Sequence, residues 1–296
     1  MDAELCDLEP IWHLCTPGDF AGVIFRERED FVYGMNLVAL TAAQFVNKVK
    51  LLTFQIMSNH FHFVLSCNQS VLPEFFTFLK RRLERYLSNK GRRTDLLGFT
   101  YKLYPVADYS YIQSVIAYVN RNGYLIDKDV TPFSYEWGAN RFFFNSLASE
   151  NLDETLGNLG IDRKRSLFKS RNFDIPNHFI LCKEYVSPHS YCHISLAESF
   201  FRNAHHYFTL ISRQVESFMS ISTELGDKIT YTDEEINKAV IALCKKNYSV
   251  KNPFILDKSS KIELAKKLHF DYNASNKQIK RILRLDEHIV NSLFPK

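Results

Sequence analysis

Residues 49–66 read VKLLTFQIMSNHFHFVLS. Val49–Met57 is a run of β-branched and large apolar side chains, Ser58-Asn59 supplies turn chemistry, and His60–Ser66 resumes the apolar run. Together they predict a β-hairpin. Upstream, Ile11–Leu14 and Val23–Phe25 predict short strands, and Asn36–Val46 has helical character. Downstream, Pro73–Asn89 predicts an amphipathic helix, because Phe75, Phe76, Leu79, Leu83 and Leu87 recur on or near one face, and Gly91 stops it. Tyr109–Asn122 predicts a further helix, ended by Gly123. Strand, helix, hairpin and helix in that order imply an α+β arrangement, an antiparallel sheet with helices packed on one face.

The rest of the chain reads differently. Residues 150–190 are polar and irregular, as at a boundary, and the sequence beyond them is mostly helical. Leu196–Glu216 and Thr232–Lys246 predict helices, the second opened by a capping box of Thr232 and Glu235. Three short helices follow, near 259–270, 275–284 and 286–294, with Ser275 and Asp286 as candidate caps of the last two. The expected division is a first domain over 1–150, a connecting, largely helical region over 151–230, and a basic helical module over 231–296.

Composition narrows the function classes. Of 296 residues, 46% are hydrophobic and 24% charged, and only 10 Gly and 9 Pro occur, which excludes collagen-like and largely disordered chains. No apolar run reaches the roughly 20 residues that a membrane span requires. The acidic start MDAELCDLEP does not resemble a signal peptide, and the six cysteines form no CxxC pair, so reduced thiols and a cytoplasmic location are expected. The net charge of +4 conceals segregation. Residues 1–79 carry four basic and nine acidic groups, 80–102 carry eight and two, and 245–284 carry eleven and three. Two concentrated basic stretches in a nearly neutral chain fit a polyanion binder with two contact surfaces. The first comprises Lys80, Arg81, Arg82, Arg85, Lys90, Arg92, Arg93 and Lys102, interleaved with Tyr86, Phe99, Tyr101 and Tyr104, which could stack on unpaired bases. The second includes Lys277, Lys280, Arg281 and Arg284 at outward helical positions.

His60-Phe61-His62 is the sharpest chemical feature. Residues two apart on a strand face the same side, so both imidazoles can reach one ion while Phe61 points to the other side. On the helix Tyr109–Asn122, Tyr118 and Asn122 lie one turn apart and share a face. Two imidazole nitrogens and an amide oxygen would hold a divalent ion able to polarise a phosphate oxygen, and by ligand type alone the two imidazoles would also suit Zn²⁺. A phenol with a pKa of about 10 is barely ionised near neutrality, so it needs such an ion or nearby positive charge to act as a nucleophile. Tyr109, Tyr111 and Tyr124 are rivals, but only Tyr118 has a ligand-capable residue one turn away.

The motifs SNHFHFVL, AYVNRN and FSYEWGANRFFF, in this order over roughly residues 8–150, resemble the single-tyrosine HUH transposases, and most closely the REP-associated tyrosine transposase-like proteins. Asn122-Gly123 stands where that family commonly has Asn-Pro. The resemblance implies a ferredoxin-like catalytic domain that acts on single-stranded DNA with Mg²⁺ or Mn²⁺. Tyr118 would be the nucleophile, and His60, His62 and Asn122 the metal ligands. The reaction implied is transesterification through a 5′-phosphotyrosine link, on DNA carrying a hairpin, by a monomer or a homodimer. Residues 261–294 resemble the helix-turn-helix region appended to some of these transposases. The alternative is a catalytically silent DNA-binding regulator derived from one.

Overall fold

The computed structural model describes residues 8–17, 23–121, 135–149, 154–212, 233–272 and 274–294. The protein is α+β, with a four-stranded antiparallel sheet. In chain order the first elements are β1 (Ile11–Cys15), α1 (Arg28–Gln44), β2 (Lys50–Ile56), β3 (Phe61–Ser66), α2 (Leu72–Asn89), β4 (Lys102–Val106) and α3 (Tyr109–Arg121). The strands lie in the order β2-β3-β1-β4. The β2–β3 hairpin forms as its sequence predicts, with Met57 N–H bonded to the His60 carbonyl across the turn. Val23–Phe25 is not a strand. Its Ile24 and Phe25 N–H groups donate to the Ser58 carbonyl at 2.9 and 2.8 Å, so the segment braces the hairpin turn.

Register separates the two faces of the sheet. Leu14 pairs with Phe63 and Phe63 with Phe54, which places these side chains on one side. That side is apolar and packs on α1, α2 and the segments beside them: Phe25 meets the Phe61 ring at 5.3 Å and Phe75 meets the Phe63 ring at 5.8 Å. Cys15 pairs with His62, His13 with Val64, and Gln55 with His62, so the opposite side is rich in polar groups. Helix α3 covers this polar side, and Thr53 on β2 donates to the Asn120 Oδ1 at 2.5 Å. Helices therefore pack on both faces rather than one. Two apolar faces cannot be told from one apolar and one polar face by counting helices; the buried histidines needed a lid of their own.

β4 escaped the sequence reading for a physical reason. It is an edge strand, half-exposed along most of its length and containing Pro105, which an edge tolerates because one row of its backbone groups has no partner strand. Helix α1 begins at Arg28, earlier than its apolar pattern suggests, because Glu27 and Asp30 form a reciprocal capping box.

The described residues form two compact units. The first comprises 8–121 and 135–212, so the sheet's unit continues well beyond residue 150. It adds α4 (Ile161–Phe168), a two-stranded hairpin of β5 (Leu181–Cys182) and β6 (Tyr185–Val186), α5 (Ile194–Ser199) and α6 (Ala204–Ile211). The helix expected over Leu196–Glu216 is thus interrupted at 200–203, and its last residues lie outside the described ones. The second unit, 233–294, contains α7 (Asp233–Tyr248), α8 (Lys258–Tyr272), α9 (Asn276–Leu283) and α10 (Glu287–Leu293). Ser275 caps α9 in a capping box with Gln278, and Asp286 caps α10. The Thr232 cap expected for α7 falls outside the described residues. No helix among the described residues is long and apolar enough to cross a membrane.

Candidate functional site

The polar face of the sheet gathers its chemistry under α3. His13, Cys15, Thr53, Gln55, His62, Tyr118 and Asn120 are fully buried, and His60 is 3% exposed. Alternation on β1 places His13 and Cys15 on one side, and the antiparallel register sets His62 directly across from Cys15. His13 Nε2 and His62 Nδ1 stand 3.1 Å apart, their rings 10° from coplanar. His60 meets the His62 ring edge-on with centroids 4.9 Å apart, so both histidines of the His60-Phe61-His62 triplet serve the same face. The Asn59 Oδ1 accepts a hydrogen bond from the His60 Nδ1 at 2.6 Å. That bond leaves the lone pair of His60 on Nε2.

Tyr118 completes the cluster. Its ring stands edge-on to His13 at 6.0 Å and to His62 at 5.8 Å. Residues separated by more than fifty positions in sequence are thus brought together by the packing of α3 on β1 and β3. Asn122 lies outside the described residues. Asn120, two positions earlier, holds the fold together instead. Besides accepting from Thr53, its Nδ2 donates to the Tyr207 hydroxyl at 2.7 Å, and that hydroxyl donates to the Asn140 Oδ1 at 2.6 Å. This chain of fully or nearly fully buried polar groups ties α3 to β2 and α6. Asn120→Ala removes the partner of both the Thr53 and the Tyr207 hydroxyls and is expected to destabilise the fold by about 3 kcal/mol. Urea unfolding of the variant checks this; a loss below about 1 kcal/mol would show that the chain contributes little.

Burial sets the protonation of the site. The His62 imidazole, wholly enclosed, is pushed down to about 3 and stays neutral at physiological pH. The folded chain therefore binds fewer protons at this position than the unfolded chain between about pH 6.5 and 3, and stability falls as pH falls through that window. Between pH 7 and 5 the loss is about 2 kcal/mol. Denaturation of metal-free protein at the two pH values measures it, and His62→Gln is expected to flatten the dependence. An equally steep decline in the variant would assign it elsewhere.

The His13–Cys15–His62 cluster can hold a metal ion: one donor atom from each residue lies within 4.8 Å of the others. His13 and Cys15 were missed in the sequence, although the spacing His-x-Cys in IWHLC is the signal, since it puts both on one face of a strand. Mg²⁺ or Mn²⁺, expected at His60, His62 and Asn122, is a poor match to this different set of donors. It takes oxygen ligands in an octahedron, whereas two imidazoles and a thiol are nitrogen and sulfur.

The first basic stretch is divided in its use. Lys90 and Arg92 bind the buried Asp30 at 2.9 and 2.7 Å, Lys80 Nζ donates to the Phe99 carbonyl at 2.7 Å, and Arg82 donates to the Asn172 carbonyl while covering the Phe78 ring. Tyr86 is likewise committed, donating to Asp30. Arg81, Arg85 and Arg93 lie at the surface. Lys102 alone of this set reaches the site, as the register partner of Cys15 on β4. In the second unit Lys277, Lys280, Arg281 and Arg284 line an open groove of about 1110 Å³ between α9 and α10. Asp286 and Glu287 share that groove, and Lys280 is paired with Glu287 at 2.6 Å.

No family model matches this chain, and no curated protein or solved structure matches it either.

Proposed function

We propose that the protein is a DNA-processing enzyme of the single-tyrosine transesterase class, in which Tyr118 cleaves and rejoins single-stranded DNA. The observation that carries this reading is the edge-on packing of Tyr118 against His62 and His13, with His60 beside them. A phenol, a paired set of imidazoles and an exposed basic periphery are the groups that phosphodiester transfer needs. The element order β-α-β-β-α-β and the strand order β2-β3-β1-β4 support the ferredoxin-like domain that the resemblance implies. In the reaction the Tyr118 oxygen attacks the scissile phosphorus, a 5′-phosphotyrosine bond forms, and the 3′ oxygen leaves as a hydroxyl. Attack by a 3′-hydroxyl on that linkage reverses the chemistry and joins strands. Arg81, Arg85, Arg93 and Lys102 would contact phosphates, and the C-terminal unit, read as a helix-turn-helix module, would add further contacts through Lys277, Arg281 and Arg284.

Mg²⁺ or Mn²⁺ is the ion the resemblance implies, and the described donors, two imidazoles and a thiol, suit neither well. The closed site bears on the mechanism. Tyr118 has no exposed surface, and strand cleavage therefore requires the groups that cover it to move aside. The same burial favours the second reading, a regulator that binds DNA without cutting it. The two separate cleanly when full-length protein is incubated with hairpin-bearing single-stranded DNA and Mg²⁺, Mn²⁺ or Zn²⁺ in turn, and then denatured. A covalent protein–DNA adduct supports the transesterase; DNA retention without an adduct under every ion supports the regulator.

A further inference from the structure

The metal chemistry of the cluster goes beyond the reading above and stands whether or not Tyr118 cuts DNA. We propose that His13, Cys15 and His62 form a binding site for a borderline-soft divalent ion, Zn²⁺ by ligand type, built across β1 and β3 beneath α3.

Three observations converge. Two imidazoles and a thiol from neighbouring strands present one donor atom each within 4.8 Å of one another. Both strands are central in the sheet, so backbone pairing on either side fixes their spacing before any ion arrives. The His13 Nε2 to His62 Nδ1 separation of 3.1 Å is close to the value of about 3.3 Å that two imidazole nitrogens adopt on one tetrahedral zinc. Nitrogen and sulfur are the donors that zinc accepts and magnesium refuses. Cys15, fully buried, would form its zinc bond away from bulk water, and three protein ligands leave a fourth position open.

Ion entry has a defined balance. In the metal-free chain the contact between His13 and His62 is an N–H···N hydrogen bond between nearly coplanar rings, so each ring must turn about its Cβ–Cγ bond to aim a lone pair at the ion. The ring proton in that bond moves to the far nitrogen of its own imidazole. The Cys15 thiol gives up its proton as the Zn–S bond forms, and one proton is released to solvent per ion bound.

Co²⁺ titration of the full chain tests the site, because cobalt replaces zinc and reports its ligands. The wild type is expected to bind one equivalent with a thiolate-to-cobalt charge-transfer band in the near ultraviolet and visible bands of tetrahedral intensity. Zn²⁺ should abolish both and millimolar Mg²⁺ should not. Cys15→Ser should lose the charge-transfer band, and His13→Gln should weaken binding at least tenfold. Cys244→Ser, at a buried cysteine of the second unit, should leave the spectrum unchanged. Should Cys15→Ser fail to fold, the wild-type spectrum and the release of one proton per zinc in weakly buffered solution still decide. Binding without a thiolate band, a thiolate band lost in Cys244→Ser but kept in Cys15→Ser, or no stoichiometric binding would each overturn the proposal. The adduct assay reads a covalent bond to Tyr118 and the cobalt titration a thiolate bond to Cys15, so either idea can fail alone.

Discussion

Tyr118→Phe is expected to reduce covalent capture of single-stranded DNA to background while leaving the fold intact. The ring of Tyr118 supplies the edge-on contacts to His13 and His62, and phenylalanine preserves that ring. Only the hydroxyl disappears, and with it the oxygen that attacks phosphorus. Tyr109 and Tyr111, at the more exposed start of α3, are the nearest rivals on the helix, and Tyr109 already donates to the Ser199 carbonyl at 3.2 Å. Their phenylalanine variants should keep wild-type capture. Denaturing gels with end-labelled DNA measure all three, and persistent adduct in Tyr118→Phe would remove the nucleophile assignment.

Asp30→Ala is expected to cost about 3–5 kcal/mol, the largest stability effect in the first unit. The Asp30 carboxylate is fully buried in the first turn of α1, where it accepts from Lys90, Arg92, the Tyr86 hydroxyl and the Arg26 N–H. Burial raises its pKa, but the bonds from Lys90, the Arg26 amide, Arg92 and Tyr86 outweigh that and hold it well below the usual carboxylate range. The carboxylate thus contributes stability at every pH above its unfolded value near 4, and that contribution is lost as pH falls below it. Removing the carboxylate takes from two cations the buried charge they share beside the α1–α2 contact. Thermal unfolding at pH 7 should show a drop on the order of 10 °C. At pH 2.5, where the wild type has begun to lose the same contribution, the gap should narrow; a gap that stays constant with pH would mean the loss is one of packing.

The hairpin and the α2 face were legible because their side chains follow the periods of strand and helix without interruption. Phe75, Phe76, Leu79, Leu83 and Leu87 are all buried, as spacing demands. The histidine triplet was legible for the same reason, since alternation alone places His60 and His62 together. What sequence did not reveal depends on pairing between distant strands. His13 and Cys15 become site residues only because β1 lies beside β3 in a register that sets Cys15 against His62. Asn120 likewise takes its role from distant partners, bonding to Thr53 and Tyr207, residues 67 and 87 positions away. Charge density likewise does not show which cations have partners inside the fold. Lys90 and Arg92 read as phosphate contacts, but a single buried aspartate on α1 engages both.

The central claim is that Tyr118 forms a phosphodiester bond with DNA, and peptide mapping tests it most directly. Protein incubated with hairpin-bearing single-stranded DNA is digested with nuclease and trypsin, and the peptide spanning residues 103–121, which contains Tyr104, Tyr109, Tyr111 and Tyr118, is fragmented by mass spectrometry. The account predicts a nucleotide remnant attached through a 5′ phosphate to Tyr118. A remnant on another tyrosine, or DNA bound tightly with no modified peptide under any of the three ions, would contradict it.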